Sequence, residues 1–141
     1  MTREAVIAEA NRWLGTPFHD EARVMNAGVD CGQLLIAVYG ACGYMPADYP
    51  VEHYPADFAM HRDREWYLGI VKEFAKSIEA PSPGDVVLFK LGRLYSHGGI
   101  VVNWPEVIHA WKPVGKVILS NVLRESRLAD SPRLFFSPFV G

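Results

Sequence analysis

The run Pro81-Ser82-Pro83-Gly84-Asp85-Val86-Val87-Leu88-Phe89 decides the fold. Its two prolines and its glycine end any helix arriving from the N-terminal side, and a β-branched, apolar run begins directly after them. Upstream, apolar residues recur at helical spacing. Ala5, Ile7, Ala8 and residues 10–14 predict a first helix ending near Gly15. Asp30 predicts the N-cap of a second helix, with Gln33 in the capping-box position, running through Leu34, Leu35, Ile36, Val38 and Tyr39 to about Gly43. That helix is apolar nearly all round, the mark of a buried one. Trp66, Tyr67, Ile70, Val71, Phe74 and Ile78 predict a third helix over roughly 62–79. Downstream come short β-rich runs at 86–90, 96–102, 107–111, 117–122 and 134–139. Helices first and strands second is an α+β order, with N-terminal helices packed on a C-terminal antiparallel sheet. Position 81 then separates a helical part (about 1–80) from a sheet part (about 81–141) of one expected domain over 1–141, because neither half buries enough surface alone.

Composition narrows the functional class. Half of the 141 residues are hydrophobic, 21% are charged and the formal net charge is -2. This is globular rather than disordered, and it argues against a chain that binds nucleic acid over its whole surface. Two cysteines exclude a disulfide-rich scaffold. No apolar run approaches the ~20 residues that span a bilayer. Arg3, Glu4, Glu9 and Arg12 interrupt the first apolar stretch, so no signal peptide and no membrane insertion are expected. The chain is expected to be made in the cytoplasm.

Cys31 follows the expected N-cap, which places its sulfur at the positive end of a helix, where free N–H groups favour a thiolate. Cys42 lies near the other end of that helix, about 16 Å away at 1.5 Å per residue, beyond disulfide reach. A free cysteine is also among the most buried residue types, so a structural reading stands beside the nucleophilic one. A thiolate nucleophile needs a base and a group that orients the base. Of five histidines, His19 precedes the helix, His53 and His61 lie in a Pro-rich middle segment, and His97 and His109 fall on expected strands. Gly98 and Gly99 beside His97 fit a place where another group approaches closely. Residues 103–106, with Pro105, form the turn between these two strands. Whether the two histidines meet depends on register, which the turn leaves open. The cysteines and histidines lack the paired spacing of structural zinc sites, and there is no phosphate-binding glycine loop, so no metal and no cofactor are expected.

Five segments carry a resemblance. They are Leu14-Gly15-Thr16-Pro17-Phe18, Gly28-Val29-Asp30-Cys31-Gly32, Pro83-Gly84-Asp85-Val86-Val87-Leu88-Phe89, Ser96-His97-Gly98-Gly99-Ile100-Val101 and Ile108-His109-Ala110. In this order and spacing, from about 5 to about 117, the chain resembles the NlpC-type cell-wall cysteine peptidases, which have a papain-like fold. The long 19–29 connection and the compact size resemble the family's bacteriophage tail-associated branch, found in tailed phages and in phage-derived gene-transfer particles. Arg133-Leu134-Phe135-Phe136 fits that branch less specifically. The resemblance implies Cys31 as nucleophile, His97 as its base and His109 as the residue that orients His97. The implied reaction is hydrolysis of an amide in the peptide stem of peptidoglycan, between D-glutamate and a diamino acid. The implied partners are that stem and the tail or baseplate proteins of a virion or phage-like particle.

Two departures from the family pattern bear on the oxyanion. Phe18 stands where the family usually carries a tyrosine, and a phenyl ring donates no hydrogen bond; losing such a donor costs on the order of 10²–10³ in rate. Phe18, His19 and Gly32 are therefore the expected surroundings of the oxyanion and substrate, with His19 as a substitute donor. Gly32-Gln33 also replaces the usual Ser-Gly after the cysteine. Two other readings stay open: a structural tail component on a peptidase fold with weak or lost activity, and acyl transfer to an amine or lipid in place of water. The catalytic fold is expected to occupy nearly the whole chain, so that another protein carries it to the wall. Lys112, Lys116, Arg124, Arg127 and Arg133 outnumber Glu125 and Asp130 near the C-terminus, a patch suited to an anionic partner or simply a solvated face. Tyr95, Trp104 and Trp111 fit a substrate groove or a core, and Tyr49, Tyr54 and Phe58 fit an interface with tail proteins.

Overall fold

A computed structural model of the protein describes residues 2–46, 48–49 and 66–139. The Thr2 hydroxyl accepts from Ala5 N and caps helix α1, Arg3–Arg12. The connection to the second helix contains a small antiparallel pair, β1 (Arg23–Val24) and β2 (Gly28–Val29). Asp30 caps helix α2, Cys31–Ala41, by accepting from Gln33 N at 2.8 Å. Helix α3, Trp66–Phe74, is followed at once by strand β3, Lys76–Ile78. The sheet continues with β4 (Val86–Leu91), β5 (Leu94–Asn103), β6 (Glu106–Trp111) and β7 (Lys116–Asn121). A 3₁₀ turn, Val122–Arg124, and a short helix α4, Ser126–Ala129, lead to β8, Arg133–Ser137.

The order across the main sheet is β3-β8-β4-β5-β6-β7, and every pairing is antiparallel. This is the α+β architecture that the chain order predicts. One correction concerns the third helix, expected over roughly 62–79. Within the described residues it ends at Phe74, because Lys76, Ser77 and Ile78 pair with Ser137, Phe136 and Phe135 as an edge strand. Ile78 fits the helical spacing, but the ladder on β8 satisfies its backbone instead. Residues 62–65, His53, His61, Tyr54 and Phe58 lie outside the described residues.

Alternation along the strands makes two apolar layers. On one face Val86, Leu88, Ile100, Ile108, Ala110 and Phe136 pack against α1 and α2 through Val6, Ala10, Leu34, Leu35 and Val38. Val87, Phe89, Val101, Val107, Trp111, Val122 and Leu128 form the second cluster, under the 3₁₀ turn and α4. Leu34 and Val38 are fully buried, each contributing about 1.5–3 kcal/mol by leaving water. The turn into β4 is tied to both helices. The Arg3 guanidinium meets the buried Asp85 carboxylate at 2.9 Å, and the Tyr39 hydroxyl donates to Gly84 O at 2.6 Å.

Two adjacent glycines set how closely the layers approach β5. A Cβ on Gly98 would lie 2.8 Å from Leu88 Cδ2 and 3.2 Å from Leu35 Cδ1, so the bare backbone admits the helix that carries Cys31. A Cβ on Gly99 would lie 2.4 Å from Val107 Cγ1 and 3.0 Å from His109 Cβ, so the bare backbone also admits the strand that carries His109. The pair of glycines thus brings α2 and β6 onto one short segment of β5.

Candidate active site

His97 and His109 meet. Ile100 faces Ile108 and Val101 faces Val107, and continuing this register sets Gly99 against His109. With no side chain at Gly99, the His109 ring leans along β5 toward His97. The His97 Nε2 to His109 Nδ1 distance is 2.8 Å, and His109 Nε2 lies 2.7 Å from the Ser120 hydroxyl oxygen. Both histidines are buried. Phe89 stacks on His97 at 5.9 Å between ring centroids, and Trp111 lies 4.8 Å from His97 and 5.5 Å from His109.

Burial and the nearby His109 and Arg127 hold His97 well below the usual imidazole range, and burial pushes His109 down to about 4. Both rings are therefore neutral at pH 7. A self-consistent proton arrangement follows: His97 Nε2–H donates to His109 Nδ1, and His109 Nε2–H donates to Ser120 Oγ. Nδ1 of His97 is then the nitrogen left to take up a proton. Ser120 carries no motif that a sequence reader would mark. Its signal is positional: His109 pairs with Ile118, and Ser120 lies two residues on, on the same face of β7.

Cys31 approaches the same segment of β5 from α2. The half-buried thiol donates to Ser96 O at 3.7 Å, one residue before His97. The backbone of Gly32 and Gly98 and the Tyr67 side chain favour its ionised form. Desolvation outweighs them, and together with the Asp30 charge it pushes the thiol up to about 12. At rest Cys31 is thus a neutral thiol and not the thiolate that helix placement alone predicts. The reason is local. The cap that starts the helix is a carboxylate, and its full negative charge sits beside the sulfur that the helix terminus would otherwise favour.

Asp30 also anchors the preceding connection, accepting from Glu21 N at 2.7 Å. Phe18 is half-buried, with its N–H donating to Gly115 O at 2.8 Å and Lys112 Nζ 6.0 Å from its ring centroid. His19 is exposed, its Nδ1 3.1 Å from Asp20 O and its N–H bonded to Val29 O. Gly32 lies directly beneath Tyr67. An apolar cavity of about 50 Å³ opens behind this corner, its wall including Gly32, Leu35, Ile36, Tyr67 and Val71. Cys42 is the second free cysteine, buried and bonded to Ala5 O at 3.7 Å. Trp111 belongs to the core beneath the histidines, and Trp104 packs edge-on against Phe135. Tyr49 packs edge-on against Phe74, and its hydroxyl donates to Glu73. Among the described residues no group of three His, Cys, Asp or Glu side chains is placed to hold a metal. Among the same residues no helix is long and apolar enough to cross a membrane.

The fold is that of the NlpC/p60 hydrolases. The NlpC/p60 domain of the peptidoglycan hydrolase SagA superposes with a TM-score of 0.61 at 17% identity, covering 95% of this chain and 97% of that one. NlpC1 from Trichomonas vaginalis gives 0.68 at 17% identity, over 97% of this chain and 44% of its own. The peptidoglycan hydrolase RipB from Mycobacterium tuberculosis gives 0.64 at 15% identity, over 99% of this chain and 65% of its own. No family model matches the chain, and no curated protein matches it in sequence.

Proposed function

We propose that this protein is a thiol hydrolase that cleaves an amide in the peptide stem of peptidoglycan, with Cys31 as nucleophile, His97 as general base and acid, and His109 as the positioning residue. The observation that carries this reading is the chain from His97 through His109 to Ser120, which begins one residue after the Ser96 carbonyl that the Cys31 thiol meets. The fold shared with peptidoglycan hydrolases supports the substrate class.

The reaction begins when the thiol leaves Ser96 O and passes its proton to His97 Nδ1. The sulfur attacks the amide carbonyl carbon, and negative charge builds on the carbonyl oxygen near the Gly32 and Gly98 N–H groups. Collapse breaks the C–N bond, the imidazolium gives its proton to the leaving amine, and a thioester remains on Cys31. His97 then takes a proton from water, the hydroxide displaces the sulfur, and a carboxylate and the thiol are released. Throughout, His97 Nε2–H stays on His109, so the ring keeps one orientation through both proton transfers.

Incubation with purified peptidoglycan or a muropeptide should release new amine groups, and Cys31→Ala should release none. No release by the wild type, or equal release by both, overturns the proposal. We place the activity in a phage-like tail because the 19–29 connection resembles that branch. Detection of the chain in purified particles by mass spectrometry checks that placement. A purely structural tail role has one observation in its favour, the absence of a hydroxyl at Phe18. It predicts that Cys31→Ala particles assemble and infect normally.

A further inference from the structure

His97 sits at the centre of a stack that runs beyond the rings beside it. Phe89 meets the His97 ring from β4 at 5.9 Å between centroids, and Trp111 meets it from β6 at 4.8 Å, so both strands flanking β5 supply a ring. Each of those rings has a guanidinium over it. Arg133 Cζ, on β8, lies 5.8 Å from the centroid of Phe89, and Arg127 Cζ, on α4, lies 5.6 Å from that of Trp111. Both are within cation–π reach. The two arginines differ in what else holds them. Arg133 Nη2 donates to Ala129 O at 2.7 Å and fastens the end of α4 to the sheet. Arg127 is exposed, and among the described residues its guanidinium meets the Trp111 ring but no hydrogen-bond acceptor and no carboxylate. Trp111 has a matching feature. Its Nε1 is buried and makes no hydrogen bond among the described residues, so no polar contact fixes the indole in its plane. What lies against the ring fixes it instead, and that includes both histidines and Arg127.

We propose that Arg127 is a positioning residue of this site: it holds the Trp111 ring against His97 and His109, and through that ring keeps the base at one angle. This rests on the reading of His97 as the base. The charged and titratable groups that bear on His97 come from the elements packed around it. They are His109 on β6, Arg127 on α4, Arg133 on β8 through Phe89, and the Cys31 thiol on α2, which meets the carbonyl of Ser96. Two of these are cations and none is a carboxylate. Arg127 therefore has a second consequence, because its charge opposes formation of the imidazolium. The base stays neutral to lower pH, and the imidazolium, once formed, gives its proton to the leaving amine more readily.

The test compares Arg127→Gln, which keeps a polar side chain and loses the cation, with Arg127→Lys, which keeps a cation. Muropeptide hydrolysis gives kcat, KM and the pH profile. Exchange of His97 Nε2–H with water, read by NMR on protein with isotope-labelled histidine, reports on the ring without any substrate. At an exposed site a cation over an aromatic ring is worth a factor of about two to five. Arg127→Gln should lower kcat by about that factor with KM unchanged, move the acid limb of kcat/KM to higher pH, and speed the Nε2–H exchange by a similar factor. Arg127→Lys should recover most of all three. Wild-type turnover and exchange in Arg127→Gln overturn the assignment. So does equal loss in both variants with a parallel fall in thermal midpoint, which is what a purely structural role gives. A wild type that cleaves no wall substrate, with the exchange difference intact, sinks the functional reading alone. Hydrolysis by the wild type, with exchange equal in wild type and Arg127→Gln, sinks the Arg127 assignment alone.

Discussion

The two halves of the site are built differently. On the sheet, His97, His109 and Ser120 form a buried chain with heavy-atom separations of 2.8 and 2.7 Å, each ring fixed by a neighbour and by aromatic packing. On the helix, Cys31 is half-buried, donates to a main-chain oxygen at 3.7 Å, and is held neutral by desolvation and the Asp30 cap. One half is assembled in advance and the other waits. Preorganisation belongs where a ring must be held at a fixed angle through both proton transfers. Under the proposed mechanism, a thiol that ionises only when a substrate carbonyl arrives is protected from wasteful oxidation at rest.

The largest effect should come from removing the middle of the assembled half. His109→Ala leaves His97 Nε2 buried without its partner and releases the ring from its orientation. Loss of an orienting partner of this kind lowers turnover on the order of 10³–10⁴. Steady-state hydrolysis of a muropeptide checks it, and Cys31 alkylation by iodoacetamide should change far less. If both fell together, the two halves would not be separable in the way drawn above.

The second effect is on stability and follows from charge. His109 has a folded pKa of about 4, below the 6.5 of an exposed imidazole, and His97 shifts in the same direction. Below pH 6.5 the unfolded chain takes up protons that the folded chain refuses. The stability is fully present above that pH and is lost as pH falls toward 4. For His109 alone this is on the order of 3 kcal/mol. Urea midpoints measured from pH 7.5 to 4.5 should fall, and His109→Ala should flatten the slope. A slope unchanged in that variant would mean that the burial of the ring carries no such cost.

Third comes the approach of the strands. Gly99→Ala puts a methyl group into Val107 and His109, so β6 must shift or the His109 ring must turn away. The expected cost is about 1–3 kcal/mol of stability, with a further loss of turnover because the His97–His109 contact lengthens. Thermal unfolding gives the first quantity and muropeptide hydrolysis the second.

How far this comparison could be read from the sequence differs between the halves. The helix-to-strand change at Pro81–Asp85, the Asp30 cap and the strands around His97 and His109 are local signals, and the structure realises them. The meeting of the two histidines required register, which only the full pairing of β5 and β6 provides. The β1–β2 pair is two residues long on each side and leaves no periodicity to find. Tyr67 sits at helical spacing with Ile70, Val71 and Phe74, so it reads as core, and only the folded chain sets its ring against Gly32 at the start of α2. The neutral thiol was hidden for a related reason: position in a helix is legible from sequence, while burial and the charge of the cap act together only once the chain is folded.

The smallest effect should come from the end of the assembled half, and it tests the chain most closely. Ser120→Ala removes the acceptor of His109 Nε2–H but leaves the His97–His109 contact in place. His109 can then rotate or change tautomer. If its Nδ1 becomes the protonated nitrogen, it no longer accepts from His97, and the base loses its correct form part of the time. A hydrogen bond of this kind contributes about 1 kcal/mol, so turnover should fall by roughly five- to tenfold, with KM little changed. Ser120→Thr keeps the hydroxyl and should restore most of the rate. If Ser120→Ala turned over like the wild type, the ordering of His109 would come from packing by Trp111 alone, and the assembled half would end one residue earlier than the hydrogen bonds indicate.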